Sequence, residues 1–99
     1  MRKESDFQHS VILEVQDRFP GCIVLKNDAN YIQGIPDLLV LYKNKWAALE
    51  CKRSIAELKK PRPNQEYYVS LMHKMSFASF IYPENRKEVL DALESSFRT

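Results

Sequence analysis

The sequence predicts an α/β fold, a mixed central sheet flanked by helices, because segments of two different periods alternate along it. Three stretches, near residues 5–19, 63–75 and 85–97, place apolar side chains at helical spacing. Between them lie short aliphatic and β-branched runs bounded by Pro, Gly and Asn, which read as strands. The order is helix, three strands, helix, strand, helix. At 99 residues, with 44% apolar and 28% charged side chains, the chain has the size and balance of one ordinary globular domain with a single core.

The first helix is expected to begin at Ser5, since Ser5-Asp6-Phe7-Gln8 has the form of a capping box, and to end before Pro20-Gly21. Phe7, Val11, Ile12, Val15 and Phe19 make its apolar stripe. Glu14 borders that stripe, where it either pairs with Arg18 at i+4 or reaches inward across the fold. Residues 22–26 form a first strand. Residues 27–33 are a polar loop leading to Gly34, which meets a backbone conformation or a close approach that other residues resist. Residues 37–42 are almost all apolar, the pattern of a strand covered on both faces.

A turn at Lys43-Asn44-Lys45 returns the chain as a strand over residues 46–52, in which Ala47 and Ala48 leave room for packing helices. Residues 54–62 are a basic connection. Pro63 suits the first position of the second helix, which makes Arg62 its N-cap. Tyr68, Leu71, Met72 and Met75 form that helix's stripe, Gln65 lies at its border, and His73 sits where a helix C-terminus favours a cation. A fourth strand over residues 78–82 is closed by Pro83. Asn85 with Glu88 caps a last helix whose apolar side is Val89, Leu90, Leu93 and Phe97.

The chemistry is concentrated in the hairpin. Glu50 and Lys52 are two residues apart on a strand and share a face. An even-numbered loop, Asn44-Lys45 or residues 43–46, puts Asp37 opposite Lys52 and Leu39 opposite Glu50, so that all three polar groups share that face. A three-residue loop would turn Asp37 away. The even register is expected, with Asn44 taking the positive φ of a tight turn. Asp37 or Glu50 paired with Lys52 can be a structural ion pair. Two carboxylates also suit a hard cation such as Mg²⁺, and a neighbouring lysine can hold a water and offset charge developing on a phosphorane.

Gly34-x-Pro36-Asp37, twelve intervening residues, Glu50-x-Lys52-Arg53 and Pro63-x-Gln65 together resemble the PD-(D/E)xK nuclease superfamily. They are most similar to its small VRR-NUC type nucleases and phage-type Holliday junction resolvases, over about residues 14–82. The resemblance implies a restriction-endonuclease-like core and a structure-selective DNA endonuclease dependent on Mg²⁺ or Mn²⁺. It implies Asp37, Glu50, the Cys51 carbonyl and Glu14 as metal ligands, Lys52 as the group that orients the attacking water, and Gln65 as support for the site or the scissile phosphate. It also implies a homodimer acting on branched, four-way DNA. The alternatives are a nuclease for flap, single-stranded or duplex DNA, and a catalytically silent nucleic-acid-binding module of the same fold. Arg62 departs from the family, which tends to carry a small polar residue at that cap.

The net charge of +2 says little, but its distribution is uneven. Arg53, Lys59, Lys60 and Arg62 follow directly on Lys52 with Glu57 as the one intervening acid, which suits a track for a phosphate backbone. Cys22 and Cys51 lack metal-binding spacing and read as reduced, largely buried thiols. No apolar run is long enough to span a bilayer and the first residues lack the core of a signal peptide, so a cytoplasmic protein is expected, and the resemblance implies a bacterial or phage-infected cell.

Overall fold

The structure, a computed structural model, describes residues 3–60 and 62–99. Helix α1 (Glu4–Arg18) is followed by β1 (Ile23–Lys26), β2 (Leu38–Tyr42), β3 (Lys45–Cys51), a 3-10 helix (Ile55–Lys59), α2 (Gln65–Met75), β4 (Phe77–Ile81) and α3 (Arg86–Phe97). The strands form one sheet in the order β1-β2-β3-β4, antiparallel except that β4 runs parallel to β3. A parallel neighbour requires a crossover, and α2 supplies it. The α/β class, with a four-stranded mixed sheet and three helices, is as the sequence predicts.

Two helices cover one face of the sheet and one covers part of the other. Phe7, Val11, Val15 and Phe19 meet Leu38, Val40, Ala47, Leu49 and Ile81 of the sheet and Val89, Leu90, Leu93 and Phe97 of α3. Phe19, Tyr42 and Phe97 close the far end of this core, with ring centroids 5.0–5.6 Å apart. On the opposite face Ala48, Val69 and Ala78 form a smaller cluster, flanked by Trp46, Met72 and Phe80. Ala47 and Ala48 point to opposite faces, and both are fully buried.

Only part of β2 is covered on both faces. Leu38 and Val40 are buried, but Leu39 and Leu41 are half-buried and, with Trp46, Met72 and Met75, line an open apolar surface. The reason is the placement of α2 over β3 and β4 rather than β2. This also turns its stripe: Gln65 and Val69 are buried, Tyr68, Leu71 and Met72 are half-buried, and Met75 is 65% exposed.

Helix starts also differ from expectation. α1 begins two residues early, with Lys3 rather than Ser5 as N-cap and its carbonyl accepting from the N–H groups of Asp6 and Phe7, so Ser5 lies inside the helix. α2 begins two residues late, after a turn through Pro63 and Asn64, and Asn64 at φ 69° is its N-cap. A small polar residue therefore does stand at this cap, and Arg62 precedes it. Asn85 caps α3 by position only. Its side chain faces backward, accepting from Tyr82 N–H at 2.8 Å and donating to the Phe80 carbonyl at 3.1 Å. His73 Nδ1 accepts from Ala78 N–H at 3.2 Å, so the ring ties α2 to β4.

In the hairpin Tyr42 faces Lys45 and Leu38 faces Leu49, so the loop is Lys43-Asn44. Lys43, at φ 57°, takes the left-handed conformation expected of Asn44. Continuing the register one step sets Asp37 opposite Glu50 rather than opposite Lys52, and Leu39 faces Ala48. The offset from the expected pairing is two residues, which leaves every side chain on its expected face.

Candidate active site

Asp37, Glu50, Lys52 and Gln65 converge at the end of the β2–β3 ladder, in a cleft of about 280 Å³. The two carboxylates are locked reciprocally. Asp37 N–H donates to Glu50 Oε1 at 3.2 Å, and Cys51 N–H donates to Asp37 Oδ2 at 2.9 Å. Each acid thus satisfies a backbone donor of the opposite strand where the ladder stops. Asn27 fixes the approach of β2, its N–H donating to the Asp37 carbonyl and its side chain to the Pro36 carbonyl, both at 2.8 Å.

Gln65 joins the acid to the base. Its Nε2 donates to Glu50 Oε2 at 2.7 Å and its Oε1 accepts from Lys52 Nζ at 2.6 Å and from Arg62 N–H at 3.1 Å. The amide is held in one orientation, because donor and acceptor ends both have fixed partners. Lys52 Nζ also lies 3.7 Å from Glu50 Oε2. Glu50, Lys52 and Gln65 are 2%, 4% and 7% exposed, so charged groups are held out of water at this point.

Gly34 makes the arrangement possible. It adopts φ +90°, and a Cβ there would lie 2.6 Å from Asn64 Cβ and 2.7 Å from both Asn64 C and the Pro63 carbonyl oxygen. Both features anticipated for this glycine, a left-handed backbone and a close approach, occur together. What approaches is the turn that carries Gln65.

Burial is the largest influence on the acids. It pushes Glu50 up from its ordinary 4.5 to about 8, reinforced by the Asp37 charge and opposed by Lys52. Asp37 is likewise raised by burial, against the lowering effects of the Cys51 N–H and Lys52. Burial, then Asp37 and Glu50, push the Cys51 thiol up, which leaves it a neutral packing group.

The first-helix acid at this cleft is Glu4, not Glu14. Glu14 Oε2 accepts from Arg18 at 3.1 Å and its Oε1 from Arg86 at 2.7 Å, so it closes an α1–α3 ion-pair cluster. Glu4 lines the cleft, and its carboxyl is raised by burial and by Asp37. A signal for it exists in the sequence: Glu4 stands three and seven residues before Phe7 and Val11, on the same stripe.

A second depression of about 260 Å³ shares Glu4, Lys52 and Arg62 with the cleft and adds Lys3, Arg53, Glu57 and Lys60. Arg53 pairs with Glu57 at 2.6 Å. Of the four expected basic contacts, Arg53, Lys60 and Arg62 line this trough, Lys59 does not, and Lys3 is an addition.

The donor set fits a hard cation. Two carboxylates, with water and substrate oxygens completing the shell, are a common provision for Mg²⁺. The Cys51 carbonyl leaves the strand on the same edge as its N–H, toward Asp37. Among the described residues no group of three or more His, Cys, Asp and Glu side chains is close enough to enclose a metal ion. Among the same residues, no helix is long and apolar enough to cross a membrane.

No family model matches this chain, and no curated protein or solved structure matches it.

Proposed function

We propose that the protein is a metal-dependent DNA endonuclease of the PD-(D/E)xK type with a restriction-endonuclease-like core. The observation that carries this reading is the buried Glu50–Gln65–Lys52 chain of hydrogen bonds beside Asp37, at the head of a basic trough. A structural ion pair needs neither a bridging amide of fixed orientation nor a second acid.

Asp37, Glu50 and the Cys51 carbonyl would hold Mg²⁺ or Mn²⁺. When bound, the cation supplies an acidified water and charge neutralisation at the phosphate. Lys52 has three N–H donors, of which one goes to Gln65, so its ammonium can hold the attacking water and offset charge on the phosphorane. Gln65 fixes where that ammonium points. Lys3, Lys60 and Arg62 carry the flanking phosphates, and the first turn of α2, where the Asn64 side chain makes no capping hydrogen bond, favours an anion nearby. Glu4 is an outer carboxylate. Glu4→Gln is expected to lower metal-dependent activity about tenfold. Glu14→Gln should instead leave activity intact and cost about 1 kcal/mol of stability in a denaturant melt.

A homodimer acting on a four-way junction is part of the proposal. An open apolar surface of Leu39, Leu41, Trp46, Met72 and Met75, continued by exposed Ile23 and Leu25 on neighbouring β1, supports it as the kind of patch that protein contacts use. The test is incubation of the protein with a labelled four-way junction, flap, duplex and single strand in Mg²⁺, Mn²⁺ or EDTA, with sedimentation run in parallel. Metal-dependent paired cuts near the crossover by a dimer are expected. Cutting spread over all substrates would remove junction selectivity, and binding without cutting would reduce the chain to a silent module.

A further inference from the structure

Beside the cleft, apart from the basic trough, lies a further pocket of about 340 Å³ lined by Asn27, Asp28, Tyr31, Ile32 and Ile35. Ile35 is common to both cavities, and Asp37 is two residues further along the chain. Tyr31 is 85% exposed, the most exposed large apolar side chain described. Its loop is nevertheless built: Tyr31 and Ile32 N–H both donate to the Asp28 carbonyl, and Asn30 N–H donates to Asp28 Oδ1 at 2.8 Å. An ordered turn therefore holds a phenol ring out in water beside Ile32 and Ile35. At that exposure it contributes little to the core.

We propose that Tyr31, Ile32 and Ile35 form a stacking pocket for one unpaired nucleobase adjacent to the scissile phosphate. The proposal rests on the nuclease reading for the position of that phosphate. A flat aromatic face over an apolar floor accepts any base by stacking, while paired bases keep their faces inside the duplex. The basic trough leaves the cleft through Glu4, Lys52 and Arg62, whereas the pocket adjoins it through Ile35. A strand lying in the cleft thus has charge within reach through one set of shared residues and an exposed aromatic ring through another. The substrate class is DNA with at least one unstacked nucleotide at the cut, as at a flap, a frayed end or a branch point.

The test compares the wild type with Tyr31→Ala, Tyr31→Phe and Tyr67→Ala. Tyr67 is a control, also exposed but about 200° around α2 from Gln65. Binding is measured in EDTA to a single strand carrying 2-aminopurine and to a duplex of the same length, with melting curves to confirm folding. Tyr31→Ala is expected to weaken single-strand binding about tenfold and abolish 2-aminopurine quenching, with duplex binding changed by no more than about twofold. Tyr31→Phe and Tyr67→Ala should behave as wild type. Equal weakening on both substrates, unchanged quenching in Tyr31→Ala, or no single-strand binding by the wild type would overturn the pocket. If these Tyr31 effects hold while the wild type cuts nothing in Mg²⁺, the pocket stands and the nuclease reading falls. Cutting without any Tyr31 effect means the reverse.

Discussion

Asp37→Asn is expected to lower the proposed metal-dependent cleavage on the order of a thousandfold while leaving the fold intact, read as single-turnover rate in Mg²⁺. The amide can still accept from Cys51 N–H, so the ladder end is preserved and only the charge is lost. Retained cleavage would remove Asp37 from the site. Glu50 carries the companion expectation, which concerns pH. The folded protein keeps the Glu50 proton up to about pH 8, whereas the ordinary value is 4.5. Between those values the folded state binds more protons than the unfolded chain, so stability of the metal-free protein falls as pH rises. At up to ~1.4 kcal/mol per pH unit, about 2 kcal/mol is lost between about pH 6 and pH 8. Mg²⁺ should restore it, most strongly at the alkaline end, where Glu50 has given up its proton and the cation no longer competes with it. Glu50→Gln should flatten the pH dependence of the melting temperature and erase the Mg²⁺ shift. A wild-type protein whose melting temperature ignores both pH and Mg²⁺ over this range would refute the assignment.

Gly34→Ala is expected to cost about 2–3 kcal/mol and to reduce activity by more than the loss of folded protein explains. The stability term has two sources, a left-handed backbone and a Cβ 2.6 Å from Asn64 Cβ. The functional term follows from what must move. Pro63 and Asn64 cannot retreat without taking Gln65 with them, and Gln65 aims Lys52 through a 2.6 Å bond. Activity per folded molecule, measured after melting curves fix the folded fraction, separates the two. A destabilised variant with full specific activity would show that the turn repairs itself and that Gln65 positioning is not limiting.

Much of this arrangement was legible in the residues because it depends on period. Helical spacing alone marks Phe7, Val11 and Val15, like Val89, Leu90 and Leu93, as core, and alternation puts Asp37, Glu50 and Lys52 on one face. Gly34 was legible because glycine has few reasons to precede Ile-Pro-Asp other than backbone geometry. The failures share a physical cause: they depend on local hydrogen-bond competition or on tertiary placement. Ser5-x-x-Gln8 offered a plausible cap, yet Lys3 and its carbonyl took the role, which hid Glu4 on what looked like the wrong side of the helix start. Glu14 fits a site acid by the wheel, but its partner Arg86 lies seventy-two residues away. The stripe of α2 leaves Met75 exposed because no pattern in the helix says which strands it will lie across.

The two-residue turn Lys43-Asn44 sits at the opposite end of the hairpin from the carboxylates, and it governs them all the same. Because side chains alternate, one residue inserted or deleted at that turn exchanges the inner and outer faces of whichever strand slides, carrying Asp37 away from Glu50. Two residues restore the alignment. The tip of this hairpin is thus a remote reading frame for the cleft: descendants of this chain can vary its composition where the left-handed backbone at Lys43 allows, but a change of one residue in length must be absorbed by a wider loop or a compensating bulge.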